Sequence, residues 1–205
     1  MIDFIQIGAN IGNTASDPIW PIIQERGWKG IFVEPVPQSF EQLVENYKAV
    51  DGCFFENVAI LEYDGEVTMY MAADDEDHRQ QASVARGYRP ATNNTAIEVP
   101  CITLTALIEK HDLFDKPFEL LQIDAERAEP RILTSTDFSH ILPRAIRYEH
   151  AQIGLQDRHS IKRHLRQFGY KRVEDEYDIA DQGFDTVMER NPADHRVIIG
   201  ISVEF

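Results

Sequence analysis

Ile5-Gln6-Ile7-Gly8-Ala9-Asn10-Ile11-Gly12 carries an apolar run into a turn with two glycines, and Ile31-Phe32-Val33-Glu34-Pro35 ends a second apolar run on an acid. Gly8 and Gly12 let main chain approach a ligand with no Cβ in the way, and a carboxylate closing the next strand accepts both hydroxyls of a ribose. Glu34 falls near the spacing of about 20 residues that separates the glycine turn from the acid in dinucleotide sites. The pair reads as a nucleotide-type cofactor site. Because the turn lacks the third glycine of GxGxxG, Glu34 carries more of that reading than the turn does. The plain alternative for Glu34 is a solvent-exposed strand end. Further along, Asp124, Glu149 and His150 close two later apolar runs, which makes them candidates for proton exchange with a ligand.

These residues need elements to hold them. Apolar runs at 2 to 7, 29 to 34, 53 to 60, 118 to 124 and 144 to 149 predict strands. Helical patterns lie between them at 18 to 26, 103 to 110 and 157 to 168, and after Pro37, where Phe40, Leu43, Val44 and Tyr47 follow the i, i+3, i+4, i+7 rule. Strands alternating with helices predict an α/β fold whose mostly parallel sheet of about seven strands is covered on both faces. Asp64-Gly65 with the alternating run 66 to 71 predicts a hairpin, hence an antiparallel excursion after the third strand. The polar stretch 72 to 97 predicts a long substrate or lid loop. Runs at 170 to 174, 184 to 189 and 196 to 203 complete the expected strands.

With 205 residues and 43% hydrophobic content, the chain is expected to form a single domain over residues 1 to 205. Its 20 Lys and Arg against 35 Asp and Glu give a net charge of −15, which repels phosphate backbones and anionic lipid surfaces. Nucleic acid and membranes are therefore not expected as partners, whereas neutral or cationic small ligands remain open. Cys53 and Cys101 show no metal spacing and read as reduced thiols. With no basic leader and no long apolar run, a cytoplasmic protein is expected, one that could be excised from a longer polypeptide.

The runs QIGANIGNTASDP, GWKGIFVEPVPQSFEQLVENY, ENVAI, DGEVTMY, VPCITLTALI, ELLQIDAERAEPRIL and IRYEH stand in this order along nearly the whole chain. In that order the chain resembles the FkbM family of S-adenosylmethionine-dependent methyltransferases. The resemblance implies a Rossmann-like class I methyltransferase fold, S-adenosyl-L-methionine as cofactor with S-adenosyl-L-homocysteine as product, and O-methylation of a sugar or glycan. It also leaves room for a fused or associated glycosyltransferase domain. By that resemblance Gly8, Ala9, Asn10 and Gly12 wrap the methionine and ribose part of the cofactor. Glu34, with Pro35 beside it, holds the ribose diol, Asn57 and Ala59 lie beside the adenine, and Asp124 borders the transferred methyl. The chain departs from the family pattern where Gln6 replaces a frequent acid and where Arg127 replaces a glycine in Asp124-Ala125-Glu126-Arg127-Ala128-Glu129. If that glycine position has positive φ, Arg127 is strained by about 1 to 3 kcal/mol.

Methyl transfer to oxygen needs an in-line hydroxyl and a route for its proton. Asp124, Glu149 and His150 are the candidates for that base, because two neighbouring strands end at them. The alternative reading of His150 is a strand-end cap. Asp124, Glu126, Glu149 and His150 could instead ligate Mg²⁺, a less favoured expectation, and no metal residues are assigned. His78, Arg79, Arg86, Tyr88 and Arg89 could clamp a sugar, against the plainer reading of a solvated loop. Arg158, Lys162, Arg163, Arg166, Lys171 and Arg172 make a basic face, read first as solvated and second as a docking patch for an acidic partner domain or a nucleotide-linked sugar. Two other functions compete with the enzyme: a binding module that has kept the fold and lost activity, and a nicotinamide-dependent oxidoreductase. O-methylation of a non-sugar natural product remains a further alternative.

Overall fold

The computed structural model describes residues 2–14, 17, 19–72, 82–84, 94–173 and 185–190. Five strands run parallel: β1 (Phe4–Ile7), β2 (Gly30–Val33), β3 (Cys53–Glu56), β7 (Pro117–Ile123) and β8 (Leu142–Glu149). Two antiparallel strands, β10 (Asp185–Glu189) and β9 (Lys171–Val173), extend the edge beyond β8. The order across the seven-stranded sheet is β3-β2-β1-β7-β8-β10-β9. The chain therefore winds outward from β1 in one direction and returns to continue in the other. Open α/β sheets bind ligands at such a reversal, outside the carboxyl ends of the strands, and here it lies between β1 and β7.

Alternation along the strands divides the core between the two faces. Ile5, Ile7, Ile31, Val33, Leu121, Ile123 and Ile146 pack with α3 (Leu104–Lys110), α4 (Glu129–Ser135) and α5 (Leu155–Gln167). Phe4, Phe32, Leu120, Ala145 and Val187 pack with α1 (Trp20–Arg26) and α2 (Pro37–Tyr47). The helices obey local rules. Pro37 takes the first turn of α2, where no N–H is needed, and Gly27 closes α1 in the left-handed conformation with its N–H on Ile23 O. Thr103 caps α3 by accepting the Ala106 N–H at 3.1 Å.

Three expectations change. The run 53 to 60 divides into β3 and β4 (Ala59–Leu61), which belong to different sheets, because Asn57 turns its amide back onto Glu34 O and Pro35 O at 2.8 and 3.1 Å. Asp64-Gly65 does not join two paired strands: in the small sheet β4-β6-β5, β6 (Asn94–Thr103) lies between β4 and β5 (Gly65–Ala72). The antiparallel excursion exists, yet it is closed through the chain from 73 to 93, and Asp64 instead accepts the Thr103 N–H at 2.6 Å. The start of β6 lies inside the stretch expected to be loop. Its alternation becomes apolar only at Ile97, Val99 and Cys101, and it carries Pro100, a residue disfavoured inside sheets. Proline fits because β4 pairs only with Cys101–Thr103 and leaves Pro100 one unpaired side.

Helix α4 was not expected from periodicity. Its signal was Pro130 in the first turn, together with the crossover that two parallel strands, β7 and β8, require. His78, Arg79, Arg86, Tyr88, Arg89 and the expected strand 196 to 203 lie outside the described residues. Among the described residues no helix is long and apolar enough to cross a membrane.

Candidate functional site

A cavity of about 460 Å³ opens where β1 and β7 end. Gly8, Ala9, Asn10, Gly12, Glu34, Pro35, Ala59, Asp124 and Glu149 all line it. One wall is formed by Ile60, Leu61 and Met69 of the small sheet and by Ala82 and Val84. The volume is that of a drug-sized ligand site.

The turn after β1 is held from both sides. Gly8 and Ala9 donate to Val33 O at 2.9 and 3.0 Å, and Gly12 donates to Ala9 O at 2.9 Å. Gly8 has φ +77, and a Cβ there would lie 1.7 Å from the carbonyl oxygen of Asp124; a Cβ on Gly12, φ +55, would lie 2.4 Å from Tyr47 Cε2. The two glycines therefore serve close packing of protein on protein as well as the approach of a ligand.

Glu34 is 5% exposed, which removes the solvent-exposed alternative. Its Oε2 accepts the Asn10 N–H and its Oε1 the Val36 N–H, both at 2.8 Å, so the acid ties the glycine turn to the end of β2. Burial pushes its carboxyl up to about 7 against the opposing pull of those two amides. Asn57 does not line the cavity; its amide braces the backbone of Glu34 and Pro35 from behind.

Three contributors escaped the sequence reading. Asp17 lines the cavity beside the turn and accepts from Gln6 Nε2 at 3.2 Å, Asn13 N–H at 2.9 Å, Ile19 N–H at 2.9 Å and Tyr47 Oη at 2.7 Å. A carboxylate thus stands next to Gln6, supplied from the following loop. Gln122 and Arg147 join Gln6 in one row across β1, β7 and β8, through the register pairs Gln6↔Gln122 and Gln122↔Arg147. All three are buried and line the cavity. The available signal was a polar residue interrupting an otherwise apolar strand at the same face as Phe4, Leu120 and Ala145. Gln6 Oε1 and Asn10 Oδ1 are buried and have no hydrogen-bond partner among the described residues.

At the other end, Asp124 follows β7, and its N–H donates to Ile7 O at 2.9 Å. Glu126 and Gln152 line the cavity and pair through Gln152 Nε2 and Glu126 Oε2 at 3.1 Å. Glu126 and Arg127 have φ of +48 and +81, so the suspected strain at Arg127 is present and extends to its neighbour. Glu129, wholly buried at the start of α4, accepts the Ala125 N–H at 2.7 Å; burial pushes its carboxyl up to about 7. Oxygens of Asp124, Glu129 and Glu149 lie within 4.8 Å of one another, a group that contains neither Glu126 nor His150. His150 does not line the cavity, and its Nδ1 lies 3.2 Å from Thr186 Oγ1. On the basic face, Arg158 donates to Ile153 O and Ala151 O at 2.7 and 3.3 Å, which braces the loop after β8.

A seven-stranded, mostly parallel sheet with a cavity at its reversal point defines a Rossmann-like α/β protein. More specifically, residues 6–172 match the family described as the methyltransferase FkbM domain, and the chain belongs to that family. Its fold is similar to an FkbM methyltransferase structure from Methylobacillus flagellatus KT, with 13% identity, a TM-score of 0.55 and coverage of 91% of this chain and 42% of that one. The chain thus spans less than half the length of that relative. Weaker likenesses include Aeropyrum pernix fibrillarin with natively bound S-adenosyl-L-methionine, at 14% identity and TM-score 0.45 over 92% of this chain and 65% of that one. A TehB-like S-adenosylmethionine-dependent methyltransferase from Corynebacterium glutamicum stands at 8% and 0.43, over 93% and 80%. No curated protein sequence matches the chain.

Proposed function

We propose that the chain transfers a methyl group from S-adenosyl-L-methionine to a hydroxyl of a sugar or glycan. The observation that carries the cofactor assignment is the pair of buried acceptors that have no donor among the described residues, Gln6 Oε1 and Asn10 Oδ1, flanked by the carboxylates of Asp17 and Glu34. Such a surface suits a ligand rich in donors and positive charge, as the ammonium, sulfonium and ribose diol of this cofactor are. Asp17 and Gln6 would face the ammonium, and Glu34 the diol. Ala9, Asn10 and Gly12 would wrap the chain between them, with Pro35 and Ala59 beside the adenine. When bound, the sulfonium supplies the methyl and becomes a thioether.

The chain's own work at the other end is to orient the acceptor oxygen and take its proton. Asp124 and Glu149 line the cavity there and are the bases of this reading, a role worth roughly 100- to 10,000-fold in rate. Among the described residues the lining carries the carboxylates Asp17, Glu34, Asp124, Glu126 and Glu149 against the single guanidinium of Arg147. That balance disfavours phosphorylated acceptors and favours a neutral polyol, whose hydroxyls donate to carboxylates and to Gln152. Cys53 and Cys101 form no disulfide, which suits a cytoplasmic reaction, and a fused or associated glycosyltransferase domain would supply the acceptor.

Transfer of labelled methyl from S-adenosyl-L-methionine to a panel of neutral glycans tests the reading, with a methyl ether as the expected product. Absence of S-adenosyl-L-homocysteine binding at millimolar concentration by calorimetry would overturn it.

A further inference from the structure

We propose that Asp124, Glu129 and Glu149 bind one divalent cation at the acceptor end of the cleft. Each places a carboxylate oxygen within 4.8 Å of the other two. The second observation is the state of Glu129. It is wholly buried, its Oε1 takes the Ala125 N–H at 2.7 Å, and its Oε2 is buried with no hydrogen-bond partner among the described residues. A buried carboxylate oxygen without a donor is costly, and ions buried in proteins are paired or coordinate metals. A cation among the three carboxylates would give the buried Glu129 carboxyl a further partner and relieve their mutual repulsion.

The scaffold supports such a site. Asp124 and Glu149 stand at the carboxyl ends of the adjacent parallel strands β7 and β8, and Glu129 returns toward them from the first turn of α4. Asp124 and Glu149 also line the cavity, so an ion held there would face its contents. Glu129 was not part of the ligand set expected from sequence, and it replaces Glu126 and His150 in it.

Three oxygens with no nitrogen or sulfur select a hard cation. Two ligands of one ion lie at most two metal–oxygen lengths apart, about 4.2 Å for Mg²⁺ and about 4.8 Å for Ca²⁺. The group accommodates Ca²⁺ as it stands and Mg²⁺ or Mn²⁺ after the oxygens draw together by some tenths of an ångström. Three protein ligands leave about half of a six-coordinate shell for water or for acceptor hydroxyls. Use of the ion to present the acceptor rests on the methyl-transfer reading; the site itself does not.

Mn²⁺ titration of the metal-stripped full chain, followed by the electron paramagnetic resonance of free Mn²⁺ and by competition with Mg²⁺ and Ca²⁺, tests the site. The expected result is one tight Mn²⁺ per chain, bound at least tenfold more weakly by Asp124→Asn and by Glu149→Gln, and unchanged by Glu62→Gln, which lies in a surface ion pair with Arg131. No tight Mn²⁺, or equal binding by all four proteins, would mean that the acidic surface merely attracts cations, and the site would be lost. Glu149 is only half-buried, so its variant is expected to fold even where Glu129→Gln does not. Calorimetry with S-adenosyl-L-homocysteine on the same samples separates the two claims: a chain that binds S-adenosyl-L-homocysteine but takes up no tight Mn²⁺ keeps the methyl-transfer reading and loses the metal site.

Discussion

The two ends of the cleft bend the backbone in the same way but with different residues. Around the first turn, left-handed φ values fall on Gly8, Asn10, Gly12 and Asn13, the residue types that tolerate them. Around the segment after β7 they fall on Glu126 and Arg127, which do not. At the first end, side chains were given up so that the main chain could take its path, and the carboxylates of Asp17 and Glu34 are each fixed by backbone amides. At the second, side chains are kept and the backbone is strained to hold them. In the proposed reading, the difference is that between a site built for one constant ligand and a site whose acidic groups matter more than its local stability.

The largest expected effect tests the first end. Gly8→Ala would set a Cβ 1.7 Å from the Asp124 carbonyl oxygen, a backbone atom that cannot swing aside, and would also place alanine at positive φ. Overpacking and left-handed strain together should destabilise the chain by about 3 to 5 kcal/mol. Denaturant unfolding measures this, and stability within 1 kcal/mol of the parent by the same order of estimate would show that the two ends do not meet as described.

Glu34 provides the next contrast, through pH. Its carboxyl is raised by burial from 4.5 to about 7, so the folded chain keeps a proton there that the unfolded chain has already lost. This contribution to stability is complete below pH 4.5 and disappears as pH rises through about 7, by about 3 kcal/mol. Glu34→Gln should flatten the fall in thermal stability across that window. Affinity for S-adenosyl-L-homocysteine should run the other way, rising as pH passes 7, because ribose hydroxyls donate best to an ionised acid. Glu34→Ala should weaken that binding by about 1.5 to 3 kcal/mol at pH 8. An affinity that ignores both pH and the substitution would place the ribose elsewhere.

The same asymmetry decided what could be read from the sequence. The first end was visible because its function is written in residue types with backbone meaning: glycines after a strand and an acid closing the next one. The parallel sheet followed from strand and helix periods. Asp17, Gln122 and Arg147 were not visible, since only strand register and a loop folding back bring them to Gln6. Strand β6 was hidden by a polar beginning and by Pro100, both of which a three-stranded sheet with a short partner permits. At the second end Glu129 resembled any helix-start acid, and its meaning depends on burial that the α4 crossover creates.

Arg127 gives the smallest and most discriminating test. At φ +81 an arginine bears left-handed strain of about 1 kcal/mol or more that glycine does not. Arg127→Gly should therefore stabilise the chain by about 1 kcal/mol, which for a chain of this size raises the melting temperature by about 2 to 4 °C. Substitution also removes the side chain, so Arg127→Ala is the necessary companion: it deletes the same contacts and keeps the strained backbone. A melting temperature that rises for glycine but not for alanine assigns the effect to φ. If both variants rise together, the side chain rather than the backbone was the burden, and the contrast between the two ends of the cleft would rest on charge alone. If the glycine variant also loses turnover while keeping S-adenosyl-L-homocysteine affinity, the strain at this end serves to hold Glu126 and Glu129 in place, and relaxing it exchanges position for stability.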